Sequence, residues 1–185
     1  DGAPTSWTMN VNGPVTQIAQ AGSNILIAGI FNGRNSVERK RLAAFNVTTG
    51  QVTSWNPKLD NTVYALAISS GKLYVGGDFT QVGSATRNRL AAFDLSNGNL
   101  DAWDPNVGGT TPTIRAIAFD VDDEIFRVFV GGIFSSIGSD LRDNIAAIDS
   151  GGNAFPWNPS ITGGTLGVSS LAIANNILYV GGDFT

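Results

Sequence analysis

Apolar runs of four to seven residues, rich in Val, Ile, Leu, Phe, Tyr and Ala, recur along the chain with turn residues between them. The fullest set reads Val63-Tyr64-Ala65-Leu66-Ala67-Ile68, then Leu73-Tyr74-Val75-Gly76-Gly77-Asp78-Phe79. It continues with Arg89-Leu90-Ala91-Ala92-Phe93-Asp94 and closes on Gly98-Asn99-Leu100-Asp101-Ala102-Trp103-Asp104-Pro105. The dividers are Ser69-Ser70-Gly71, Ser96-Asn97-Gly98 and Pro105-Asn106. No apolar stripe of helical period is long enough to compete, so the pattern predicts strands throughout.

The set repeats. Tryptophans stand at Trp7, Trp55, Trp103 and Trp157, with spacings of 48, 48 and 54 residues. Phenylalanines after a glycine-rich strand stand at Phe31, Phe79, Phe134 and Phe184, with spacings of 48, 55 and 50. From the phenylalanine to the next Leu42, Leu90 or Ile145 is eleven residues each time. Four strands in a unit of about fifty residues are the signature of a β-propeller blade. One blade cannot bury both of its faces, so neighbours must stack. The expected class is therefore all-β, with four-stranded blades of 48–55 residues and about 3.8 units present.

The blade boundaries read as follows: residues 1–9 form the last strand of one blade, 10–57, 58–105 and 106–159 form whole blades, and 160–185 form the first half of another. The expectation is an incomplete ring: a piece of a longer chain, a ring shared between two copies, or closure with one defective blade. The recurring residues have structural jobs in this scheme. Asp94 opens a turn in which its carboxylate accepts amide hydrogens and Gly98 takes the left-handed conformation. Asn46 with Gly50, and Asp149 with Gly151 and Gly152, repeat it. Gly76 and Gly77 permit close approach of backbone or a neighbouring strand. Each tryptophan offers a flat surface between blades and one N–H in need of an acceptor.

Composition narrows the chemistry. There is no cysteine and no histidine, which removes disulfides, thiol nucleophiles, cysteine-type zinc sites and every serine–histidine triad. A net charge of −4 argues against a nucleic-acid backbone binder, and the short apolar runs against membrane insertion. Thirteen Asp, seventeen Asn and only two Glu suit many turns and few helices. A cysteine-free, Asn- and Thr-rich β chain suits a secreted bacterial protein, and a leader or longer N-terminal part is expected before Asp1.

The segments Leu73 to Thr80 and Leu90 to Asp94 resemble the delta-sixty type propeller repeat of large bacterial exported proteins, and also repeats of a fungal cell-cortex polarity marker. The resemblance implies a propeller outside the cytoplasm or on the cell surface, joined to further modules. Ile30 and Ile133 depart from the acidic Asp78 and Asp183, Asn144 from Arg41 and Arg89, and Ile148 from Phe45 and Phe93. Ala92 to Gly98 with Trp103 is similar to the tryptophan-docking motif of quinone-dependent dehydrogenase propellers, which implies shared blade mechanics and no quinone.

Candidate chemistry is sparse. Asp120, Asp122, Asp123 and Glu124 form the densest carboxylate group, a calcium ligand set or a solvated turn. Asp101 and Asp104 flank Trp103, and a hydrolase would need two such carboxylates facing one cleft. The loops 32–40, 80–88 and 135–144 share Arg39, Arg87 and Arg142, which either hold an anionic or sugar ligand, with Asn88 beside one of them, or pair within their own blade. Tyr64, Tyr74 and Tyr179 read as sugar-stacking surfaces or as core. Asn46-Val47-Thr48 matches a glycosylation acceptor. The functional expectation is a non-enzymatic module for structure, adhesion or protein contact, without a cofactor, its partners being further blades, another copy or a glycan; the alternatives are a carbohydrate-binding propeller module and, more remotely, a hydrolase using carboxylates alone.

Overall fold

The computed structural model describes residues 10–34, 37–120 and 125–185, and every regular element among them is a strand. Trp7 and the strand expected over 1–9 lie outside the described residues, as do Asp122, Asp123 and Glu124.

The long strands form four antiparallel sheets in chain order. The first holds Val15–Ala21, Asn24–Gly29 and Leu42–Asn46, and the second Val63–Ser69, Lys72–Gly77 and Leu90–Asp94. The third holds Thr113–Asp120, Arg127–Ile133 and Ile145–Ile148, and the fourth Gly167–Ala174 with Ile177–Asp183. The first strand of each sheet lies against the first strand of the next, so the sheets stack as blades. The chain is a β-propeller in architecture, and among the described residues the ring is not closed.

Burial follows from stacking. Leu42 to Phe45, Leu90 to Phe93 and Ile145 to Ile148 are buried without alternation, because each lies between two covered faces. One apolar cluster fills the space between the first and second sheets and another the space between the second and third.

Two features differ from the four-strand expectation. The fourth run of each of the first three blades pairs with its sheet at one bridge, Val52 with Phe45, Leu100 with Phe93 and Ala154 with Ile148. It leaves early because the same short segment carries Trp55 and Trp103 across to the neighbouring blade. The second-to-third loops are not plain loops but contain two-residue hairpins, such as Gln81–Val82 with Ala85–Thr86. Leu59, from the segment entering the blade, bridges to Val82, and both pack with the fully buried Phe79. Val107, Ile137 and Phe134 repeat that arrangement in the third blade.

The paired glycines divide their work. A Cβ on Gly77, Gly132 or Gly182 would collide with the carbonyl of its own first strand, at Thr62, Thr113 or Gly167. A Cβ on Gly76 or Gly131 would instead strike Ile114 or Val168 of the next blade. The second glycine therefore lets a strand bulge sit inside the blade, and the first is a socket for the neighbour's branched side chain. Gly76→Ala is expected to cost about 1–3 kcal/mol by overpacking, and Gly77→Ala more, because backbone cannot yield as a side chain does. In thermal melts Gly76→Ala combined with Ile114→Ala should lose less than the sum of the two single variants, since the truncation removes the Cγ2 that the new Cβ would strike.

Candidate functional site

Trp55 and Trp103 are interblade bolts. Trp55 donates its indole N–H to the Gly98 carbonyl at 2.8 Å and meets Phe93 edge-on at 5.3 Å, both in the second blade. Trp103 donates to the Asp149 carbonyl of the third blade at 3.0 Å. The receiving turns are built to shape. Asp94 Oδ1 accepts the Ser96 N–H at 2.7 Å, and Gly98, at φ 75°, donates its N–H back to the Asp94 carbonyl. A Cβ on Gly98 would press on the Trp55 ring, so that position needs glycine for both conformation and space. Asn46 and Asp149 cap their turns in the same way.

Arg39, Arg87 and Arg142 hydrogen-bond within their own blades. Each donates one N–H to the preceding residue's carbonyl and another to a carbonyl of the fourth run: Thr53 at 2.6 Å, Asp101 at 3.0 Å and Phe155 at 2.6 Å. Arg87 also pairs with Asp104 at 3.5 Å. The loop arginines thus clamp loop to blade edge through backbone carbonyls, partners that residue types alone do not reveal. The Asn88 amide donates to Asn106 Oδ1 at 2.7 Å. Arg41, Arg89 and Asn144 hold positive φ at the start of the third strand, and Arg89 donates to the Asp78 and Phe79 carbonyls.

Of the acidic group, Asp120 lies among the described residues and pairs with Arg127 at 3.2 Å. No cluster of three metal-ligating side chains occurs among the described residues. Asp101 pairs with Lys72 at 2.7 Å and accepts the backbone N–H of Trp103, while Asp104 faces Arg87.

Two arrangements were missed by the sequence reading. Asp78 joins two blades, accepting from Tyr64 Oη at 3.0 Å and from Thr113 Oγ1 of the next blade at 2.7 Å, and Arg115 stacks over Tyr64 at 5.3 Å. Tyr64 and Arg115 occupy the bulges of adjacent first strands, positions that strict alternation hides. Burial first, and then the bond to Asp78, push the Tyr64 phenol upward.

The second is a cleft of about 580 Å³ between the first and second blades, beside Trp55 and the turns at Gly22 and Asn97. The matching space between the second and third blades is filled. Tyr74 there packs on Trp103, Phe119 and Phe126 at 5.1, 4.9 and 6.0 Å. Burial, then the Asp101 carboxylate, pushes the Tyr74 phenol up to about 12.

A family model described as a beta-propeller domain of unknown function (DUF5122) matches residues 68–102, most of the second blade. Among solved structures the chain is similar to the computationally designed Ika4 protein, at 16% identity and a TM-score of 0.55, over 96% of this chain and 92% of that one. It also matches the computationally designed Ika8 protein at 11% identity and a TM-score of 0.37, over 95% of this chain and 69% of that one. No curated protein matches it significantly. The likeness to Ika4 speaks to the fold alone.

The turn carboxylates make stability depend on acid. The Ser96 bond holds Asp94 below the ordinary aspartate value, the Lys72 bond does so for Asp101, and the Thr165 N–H for Asp183. A carboxyl whose folded pKa lies below its unfolded value stabilises fully above the unfolded value and loses that as pH falls through the folded one. The melting temperature should be level from about pH 7 to 5 and fall below about pH 4. Asp94→Asn should make the acid limb shallower while keeping the turn, since Asn46 does the same job with an amide.

Proposed function

We propose that the chain is a non-enzymatic propeller module, acting outside the cytoplasm, whose end blades dock onto further blades of the same repeat and whose turns serve structure, adhesion or protein contact. One observation carries this reading: the two open faces are the two halves of the interface that recurs inside the chain. Val15 holds in the first blade the register position of Val63, Ile114 and Val168, the residues that press on the preceding blade, yet it is 39% exposed. Gly181 holds in the fourth blade the socket position of Gly76 and Gly131, beside a Tyr179 that is 53% exposed. Trp157, the counterpart of Trp55 and Trp103, is 40% exposed.

Eight of the eleven described carboxylates support the non-enzymatic part. Asp60, Asp94, Asp149 and Asp183 accept turn hydrogen bonds, Asp78 joins two blades, and Asp101, Asp104 and Asp120 face lysine or arginine. The resemblance to exported bacterial repeats and the cysteine-free composition support the compartment.

Light scattering after size exclusion tests the docking with a second copy as the further blades. The 185-residue chain should run above 19.3 kDa and rise with concentration, and Val15→Asp or Tyr179→Asp should return it to the monomer mass without unfolding it. A chain that stays at 19.3 kDa at about 100 μM would overturn the docking, because a standard interface of this kind holds at such concentrations.

A further inference from the structure

We infer that the cleft between the first and second blades is a binding site for a neutral saccharide. The argument starts from a difference between two equivalent interfaces. Register pairs Leu26 with Ala44 and Tyr74 with Ala92, so Leu26 is the first-blade counterpart of Tyr74; in the same way Ile68 is the counterpart of Phe119. In the second interface Tyr74, Phe119 and Phe126 close the space with aromatic rings. In the first, smaller side chains stand at both positions, and the hairpin above is the short Ser70-Gly71 turn, which carries no counterpart of Phe126. The same blade geometry with less side chain leaves the 580 Å³ cleft.

The lining selects the ligand. Ile68 and the Trp55 ring give apolar surface suited to the C–H face of a pyranose, with the buried Leu26 forming the floor. Trp55 offers only its ring, because its N–H is held by Gly98. Around that surface stand uncharged amides with capacity to spare. The Asn24 side chain makes no hydrogen bond among the described residues, Asn97 uses only its oxygen, and Gln20 only its nitrogen. Donors and acceptors side by side match hydroxyl groups, which are both at once. Asp94 is the one charged residue in the lining, and its low pKa keeps it anionic, so the cleft disfavours anions and lacks a cation to hold them. The site is independent of the end faces, and its test reads a different signal.

Saturation-transfer NMR with D-glucose, D-galactose, D-mannose and N-acetyl-D-glucosamine, with D-glucuronate as the anionic control, tests the assignment on the 185-residue chain. At least one neutral sugar should bind saturably in the range of about 1–10 mM, and D-glucuronate should bind at least about tenfold more weakly than the tightest of them. Leu26→Tyr, which installs the ring of the second interface, should weaken binding at least about tenfold with the circular dichroism spectrum unchanged. Should Leu26→Tyr disturb folding, the exposed Gln20→Ala and the Asn24→Ala variants carry the same expectation of weaker binding. Silence of all four neutral sugars at about 50 mM, equal binding of glucuronate, or wild-type binding by the folded variants would overturn the site.

Discussion

One contact recurs at each complete interface of this chain: an indole N–H from one blade meets a turn carbonyl of the next. Trp55 to Gly98 and Trp103 to Asp149 each combine a large apolar surface with a single directional bond. Dispersion and area burial alone would let two sheets slide, since apolar contact has no preferred register. The hydrogen bond fixes the register, and the glycine socket with its branched knob, Gly76 with Ile114 and Gly131 with Val168, fixes the separation. The turns, the loop arginines and the bulged first strands all serve this pair of constraints. Asp94 and Asp149 shape the turn that receives the ring, and Arg39, Arg87 and Arg142 brace the run that presents it.

A scaffold held this way commits its repeated polar residues to structure. What remains free for recognition lies where blades differ. Both the cleft beside Trp55 and the Asp78–Tyr64–Thr113 junction arise from positions at which the repeat changes residue type. Leu26 stands against Tyr74, and Asp78 against Ile30 and Ile133, at equivalent sites. Repeat architecture thus supplies rigidity through sameness and chemistry through departures from it.

Much of the fold is legible in the sequence. Tryptophan and phenylalanine spacing marked the blades, and the turn role of Asp94 and Gly98 followed from residue types and offsets. The socket role of Gly76 was legible only in part, because periodicity cannot say whether a missing side chain makes room for its own strand or for the neighbour. The arginine clamps were hidden because their partners are backbone carbonyls, which every residue carries. The Asp78 junction was hidden because Tyr64 and Arg115 sit in bulges that break the two-residue period. The cleft could not be read at all, since it is a volume left by Leu26 and Ile68 relative to two aromatic rings one blade away.

Hydrogen exchange of the indole N–H groups, followed by NMR, tests the bolt directly. The Trp55 and Trp103 protons should exchange slowly, at rates close to those of the third-strand amides, while the exposed Trp157 proton exchanges fast. Equal and rapid exchange at Trp55, Trp103 and Trp157, in a chain whose strand amides are protected, would contradict the claim that these bonds hold the blades together.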